Sequence, residues 1–140
     1  MENRSQERFS FNWKNMSMAA TKPMRTMRML DRALHFARKK LTADITAQRL
    51  QILLAVYFNE GLNQRELLGF LDMTSITALS RNIADLSHLT TKKLKGPGLL
   101  ELRVDPLNLR VKRVFLTKKG RRFMEQWLAY ATTANTNKSG

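Results

Sequence analysis

The 140-residue chain has no cysteine and only two histidines, His35 and His88. The first absence excludes disulfides, thiolate zinc sites and thiol-based redox sensing, and two imidazoles are too few for a metal centre. No run of about 18 apolar residues exists, so no segment is expected to span a membrane. The N-terminus, MENRSQERFSFNWKN, also lacks the apolar stretch of a secretory signal. Acids are scarce, with 11 Asp and Glu against 25 Lys and Arg. Paired carboxylates, a glycine-rich phosphate loop and a nucleophile–histidine pair cannot be assembled, so neither an enzyme nor a cofactor is expected.

What is present is hydrophobic residues at 43% and a formal net charge of +14. The first supports one domain with a packed interior; the second is the balance of a protein that meets phosphate. The charge falls in blocks. Residues 1–40 carry ten basic and three acidic groups, residues 41–91 three and five, and residues 92–122 eleven and two. A near-neutral middle between basic flanks is the pattern of a core with functional surfaces on either side.

Residues 1–22 are polar with scattered rings (Phe9, Phe11, Trp13) and read as an arm, flexible or docked. Residues 23–131 form the domain, and 132–140 are expected to be a disordered tail. Within the domain, apolar residues recur at helical spacing from Met24 through Met27, Leu30, Leu34 and Leu41, predicting a first helix with a broad apolar face. DITAQRLQILLAVYFNEG predicts a second helix, capped by Thr46 or Asp44 and stopped at Gly61. Asn63, with Glu66 three residues later, opens a short third helix.

A fourth helix starts at Thr74 or Ser75, with Ile76, Leu79, Ile83 and Leu86 as its buried line. Its opposite face carries Thr77, Ala78, Arg81, Asn82 and Asp85, small and polar enough to approach a groove closely. TTKKLKGPG is then a basic loop, and LLELRV and RVKRVFLT alternate as two strands about the turn DPLN. Thr117 caps a last helix expected to end near Ala131. Mainly α, with one two-stranded β-wing, this is the order of a winged helix-turn-helix.

The stretches LNQRELLGFLDMTSITALSRNIADL and GLLELRVDPLNLRVKRVFLTKKG resemble the MarR family of transcription regulators. The family's wing runs Gly-Leu, a strand, Asp-x-x-Asp-x-Arg, a second strand and Leu-Thr-x-x-Gly. The matching positions here are Gly98, Leu99, Asp105, Asn108, Arg110, Leu116, Thr117 and Gly120. Asn108 departs from the usual second Asp, the connection from Leu86 to Gly98 is roughly eight residues longer than usual, and the last helix reads as short.

The resemblance implies that Arg110 pairs with Asp105 to shape the wing tip and reaches the minor groove, where arginine is favoured. Arg81, with Ser75, Thr77, Ala78 and Asn82 beside it, is the expected reader of base edges. Gln64 and Arg65 open the third helix as phosphate ligands. Lys92, Lys93, Lys95, Asn108 and Lys112 add backbone contacts. A homodimer is expected through Met27, Leu30, Leu34, Phe123, Trp127 and Leu128, presenting two recognition helices to a palindromic operator on double-stranded DNA.

The function expected is a sequence-specific dimeric regulator, most simply a repressor, in the cytoplasm of a bacterium or encoded by a phage, and nucleoid-associated. A small-molecule effector is implied by the resemblance but not identified. The competing readings are an architectural or replication-associated DNA-binding protein with little base readout, and an interaction module for an acidic partner.

Overall fold

A computed structural model of the chain describes residues 21–136, with side chains to residue 131. Helix α1 spans Lys22–Lys40. Pro23 lies in its first turn, where a missing N–H costs nothing, and Arg38, Lys39 and Lys40 complement the dipole at its end. Helix α2, Ala47–Phe58, is capped by Thr46, whose hydroxyl accepts from the Arg49 amide, so the choice between Thr46 and Asp44 falls to Thr46. Its Ile52, Leu53, Ala55 and Val56 are the centre of the core.

Helix α3, Gln64–Phe70, carries the full capping box: the Asn63 amide donates to the Glu66 carboxylate and the Glu66 amide to the Asn63 side chain. Helix α4, Ile76–Asp85, is capped by Ser75. Leu79, Ile83 and Leu86 are buried, but Ile76 is 41% exposed and does not join their line. At the first helical position it stands ahead of the layer the other three form.

Strand β1 is Leu100–Asp105 and β2 is Asn108–Leu116, antiparallel with Leu100 opposite Leu116 and Leu102 opposite Val114. The register shifts between Val104 and Asp105, bringing Asp105 opposite Asn108. The connection is thus only Pro106-Leu107, and β2 begins inside the expected turn. On its other edge β2 pairs with the α2–α3 connection: the Gly61 amide donates to the Val114 carbonyl and the Val114 amide to that of Leu62, both at 2.9 Å. This ties the wing to the core.

The residues before the wing form a small hairpin rather than a plain loop. Leu89 bridges Lys95, the Thr90 amide donates to the Leu94 carbonyl at 2.9 Å, and Lys93 adopts a positive φ of 63° at its tip. A Cβ at Gly96 would sit 2.2 Å from the Ser87 carbonyl oxygen, so that hairpin closes only with glycine.

Helix α5, Lys118–Thr136, starts against β1: Thr117 donates to the Gly98 carbonyl at 2.6 Å and accepts from the Gly120 amide at 2.9 Å. It runs past Ala131, so residues 132–136 are helical rather than a disordered tail. The expected end rested on the loss of apolar residues, but propagation of an established helix needs only its backbone bonds. Residues 137–140 and the arm at 1–20 lie outside the described residues.

Helices α1 and α5 pack through aromatic side chains. Phe36 stacks on Phe123 at 5.6 Å, Phe123 lies 5.9 Å from Trp127, and the Trp127 indole donates to the Ala33 carbonyl at 3.1 Å. Phe123 and Trp127 are therefore only 6% and 8% exposed within one chain. They cannot form the dimer surface expected of them, because α1 already covers them. Leu128 packs at the core margin.

Candidate nucleic-acid interface

Helix α4 packs against α3 and α2. Thr77 and Arg81, one turn apart, are both exposed. Ser75 uses its hydroxyl oxygen to accept the Ala78 amide at 3.1 Å, and Ala78 is half-buried. Asn82 is engaged within the chain: its carbonyl accepts from Arg49 Nε at 3.1 Å and its amide donates to Gln48 at 2.9 Å. Gln64 likewise accepts from the Ser80 hydroxyl at 2.5 Å, whereas Arg65 is exposed.

Arg49 is a structural residue that sequence reasoning did not single out. Besides Asn82 it reaches Asp85 at 2.8 Å, and Asp85 also accepts from the amide and hydroxyl of Thr91, both at 3.0 Å. Asp85 therefore fastens the end of α4 to α2 and to the small hairpin. Burial opposes its ionisation, but the two Thr91 bonds and the charges of Arg49 and Arg81 outweigh this, leaving its pKa lowered.

The wing brace differs from the expected one. Asp105 pairs with Arg113, not Arg110, at 3.0 Å. Arg113 also donates to the Gly61 carbonyl at 2.8 Å and lies 3.7 Å from Glu66. The reason is strand parity. Asp105 shares a face with Arg103 and its cross-strand neighbour Arg113, while Arg110 points to the other face. Plain alternation outward from the Asp105–Asn108 pair would set Arg110 opposite Arg103; the register shift between Val104 and Asp105 brings Arg113 there instead.

Arg110 is consequently free of that carboxylate and exposed, with its backbone amide donating to Asn108 Oδ1 at 3.2 Å. Lys112, Lys92, Lys93 and Lys95 are exposed as well. None of Arg65, Arg81, Arg110 and these lysines forms an ion pair among the described residues. Behind α4 lies a cleft of about 770 Å³, with Lys40, Arg49, Lys92, Lys95, Lys119 and Arg122 among its lining cations.

Asp105 is held below the usual carboxylate range by the Leu107 amide and then by Arg113. For Glu60, burial works against ionisation, but Arg121 at 2.6 Å and the Leu116 amide bring its pKa down. All three carboxylates, with Asp85, titrate lower folded than unfolded. Their contribution to stability is therefore complete above the unfolded range near pH ~4 and is lost as pH falls below it. The melting temperature is expected to stay level from neutrality to about pH 5 and to drop below about pH 4. Asp105→Asn should shrink that drop, and melts at stepped pH in which the variant declined as steeply as the parent would refute the account.

These features define a winged helix-turn-helix protein whose exposed helix face and wing tip are basic. No protein-family model matches the chain, and neither does any curated protein. Solved structures do. A MepR–DNA complex from S. aureus superposes with a TM-score of 0.62 at 21% identity, over 84% of this chain and 86% of that one. The MarR family transcription regulator SP03579 gives 0.58 at 18% identity, over 99% and 80%. The PcaV transcriptional regulator of Streptomyces coelicolor, in complex with its natural ligand, gives 0.51 at 18% identity, over 86% and 79%. The chain has the winged-helix fold of the MarR-family regulators.

Proposed function

We propose that this protein is a dimeric, sequence-specific regulator of transcription that binds double-stranded DNA at a palindromic operator, acting as a repressor by occluding a promoter, in the cytoplasm. The observation that carries the reading is the exposed Thr77–Arg81 face of α4, flanked by an unpaired Arg110 on the wing and by Arg65. In this reading Arg81 reads a base edge, Thr77 and Ala78 meet a thymine methyl, and Arg65, Lys92, Lys93, Lys95 and Lys112 meet phosphates. The MepR–DNA complex, of the same fold, supports it. The basic cleft behind α4 is where a small anionic effector would enter, and no catalytic role is assigned to any residue.

The architectural reading has one observation in its favour. Asn82 and Gln64, expected to touch DNA, both use their side chains within the chain, which leaves Arg81 with few partners in base readout.

Selection of bound duplexes from a random pool separates the readings. The parent is expected to enrich one inverted repeat, and Arg81→Ala to lose about 1–3 kcal/mol on it and to relax the preference at one position per half-site. A pool that stays random would favour the architectural reading, and a protein that retains no duplex would refute both.

A further inference from the structure

The wing tip carries an apolar feature that phosphate and base-edge contacts do not account for. Leu107 is 95% exposed and Leu109 76%, the highest exposures among the large hydrophobic side chains of the described residues. Scattered exposed leucines are ordinary. These two stand at the end of a hairpin that also carries the exposed cations Arg110 and Lys112, neither of them in an ion pair among the described residues.

The tip is also held rigid. Pro106 fixes φ before Leu107, whose amide donates to Asp105 Oδ1 at 2.8 Å. Asn108 Oδ1 accepts from the Arg110 amide at 3.2 Å, and the Asp105–Arg113 pair continues to the Gly61 carbonyl. These bonds shape a turn that keeps both leucines off the body. The leucines are presented outward at a fixed position.

We propose that Leu107 is an apolar wedge, which enters the minor groove and lodges between two base pairs with Leu109 packed beside it, unstacking the step and bending the duplex. The inference rests on the DNA-binding reading above. The minor groove is about 6 Å wide, too narrow for the hairpin but open to its tip. Its two phosphate walls match the cations that flank the leucines. Apolar side chains inserted this way kink DNA by about 20–90°, and the cost of unstacking is offset by the further surface that bent DNA contacts. A duplex, rather than a protein or a lipid surface, fits the tip because its exposed leucines are followed directly along β2 by the exposed cations Arg110 and Lys112.

The test uses the full chain on its selected duplex, end-labelled for energy transfer, and a second duplex with 2-aminopurine at the step under the wing. The parent is expected to shorten the end-to-end distance and to raise 2-aminopurine fluorescence several-fold. Leu107→Ser should abolish both while still binding the duplex, with an unchanged melting temperature because the side chain touches nothing in the free chain. A parent that binds the duplex straight and leaves the fluorescence unchanged overturns the wedge but not the DNA reading, as does a Leu107→Ser protein that bends DNA normally. Failure of the parent to bind any duplex overturns both. Flotation with vesicles of anionic phospholipid, if it depended on Leu107, would also overturn the proposal.

Discussion

Raising monovalent salt from about 50 to about 200 mM is expected to weaken duplex binding ~10³–10⁵-fold, provided six to ten phosphates are neutralised. The structure separates the cations that can do this from those that cannot. Arg49, Arg103, Arg113 and Arg121 are held by Asp85, Glu101, Asp105 and Glu60 in the folded chain. Counterions condensed on DNA are released only by charges that approach phosphate, so these four contribute to architecture rather than to the salt slope. Arg65, Arg81, Lys92, Lys93, Lys95, Arg110 and Lys112 form no such pair among the described residues, and a dimer presents each of them twice. Even if half of them reach phosphate, the range above is met. Anisotropy titrations at stepped salt give the slope directly. A binding curve that does not move with salt would remove the phosphate reading of Arg65, Lys92, Lys93, Lys95 and Lys112 at once. Individual charge deletions should each flatten the slope by about one unit, whichever sequence is bound.

Much of the fold was legible because each element carries its own period. The 3.6-residue stripes of α2 and α4, the Asn63–Glu66 capping box and the alternation about Asp105-Pro106 are local signals, and each element is present, though β2 begins inside the expected turn and Ile76 leaves the buried line of α4. The residues misjudged are those whose environment comes from far along the chain. Asn82 stands on the polar face of α4, but α2 crosses there and Arg49, 33 residues earlier, takes its carbonyl. Phe123 and Trp127 look like a surface seam until α1, with Phe36 and Ala33, is laid over them. Helical periodicity gives the direction of a side chain relative to its own axis and says nothing about which neighbour arrives. The Arg113 brace was hidden for another reason: plain alternation from the turn sets Arg110 opposite Arg103, and the register shift between Val104 and Asp105 puts Arg113 there instead. The candidate DNA face was thus legible as a surface, while the division of its polar residues between readers and braces depended on how the helices cross.

Replacing Leu30 and Leu34 together by Glu is expected to convert a dimer into a well-folded monomer. With Phe123 and Trp127 taken up inside the chain, the proposed dimer seam is left to the exposed apolar stripe of α1. Met27, Leu30 and Leu34 are 54%, 56% and 49% exposed there, with Met24 next in line at 37%. From Met24 to Leu34 the stripe extends about 15 Å at the rise of an α-helix. In an isolated chain, substitutions at such exposed positions change stability by only about 0.5 kcal/mol. In a two-fold interface each substitution occurs twice, and a carboxylate facing an apolar partner costs about 2 kcal/mol or more at each central position. The dimer dissociation constant should therefore rise by more than about 10³-fold while the melting temperature of the chain itself holds. Duplex binding should follow the oligomeric state: the variant should keep weak, half-site binding and lose the strong preference for an inverted repeat, because one recognition helix remains per molecule. Sedimentation velocity of parent and variant at micromolar concentration decides it. A parent that sediments as a monomer, or a variant that still pairs, would show that this stripe is covered by something other than a second copy of α1.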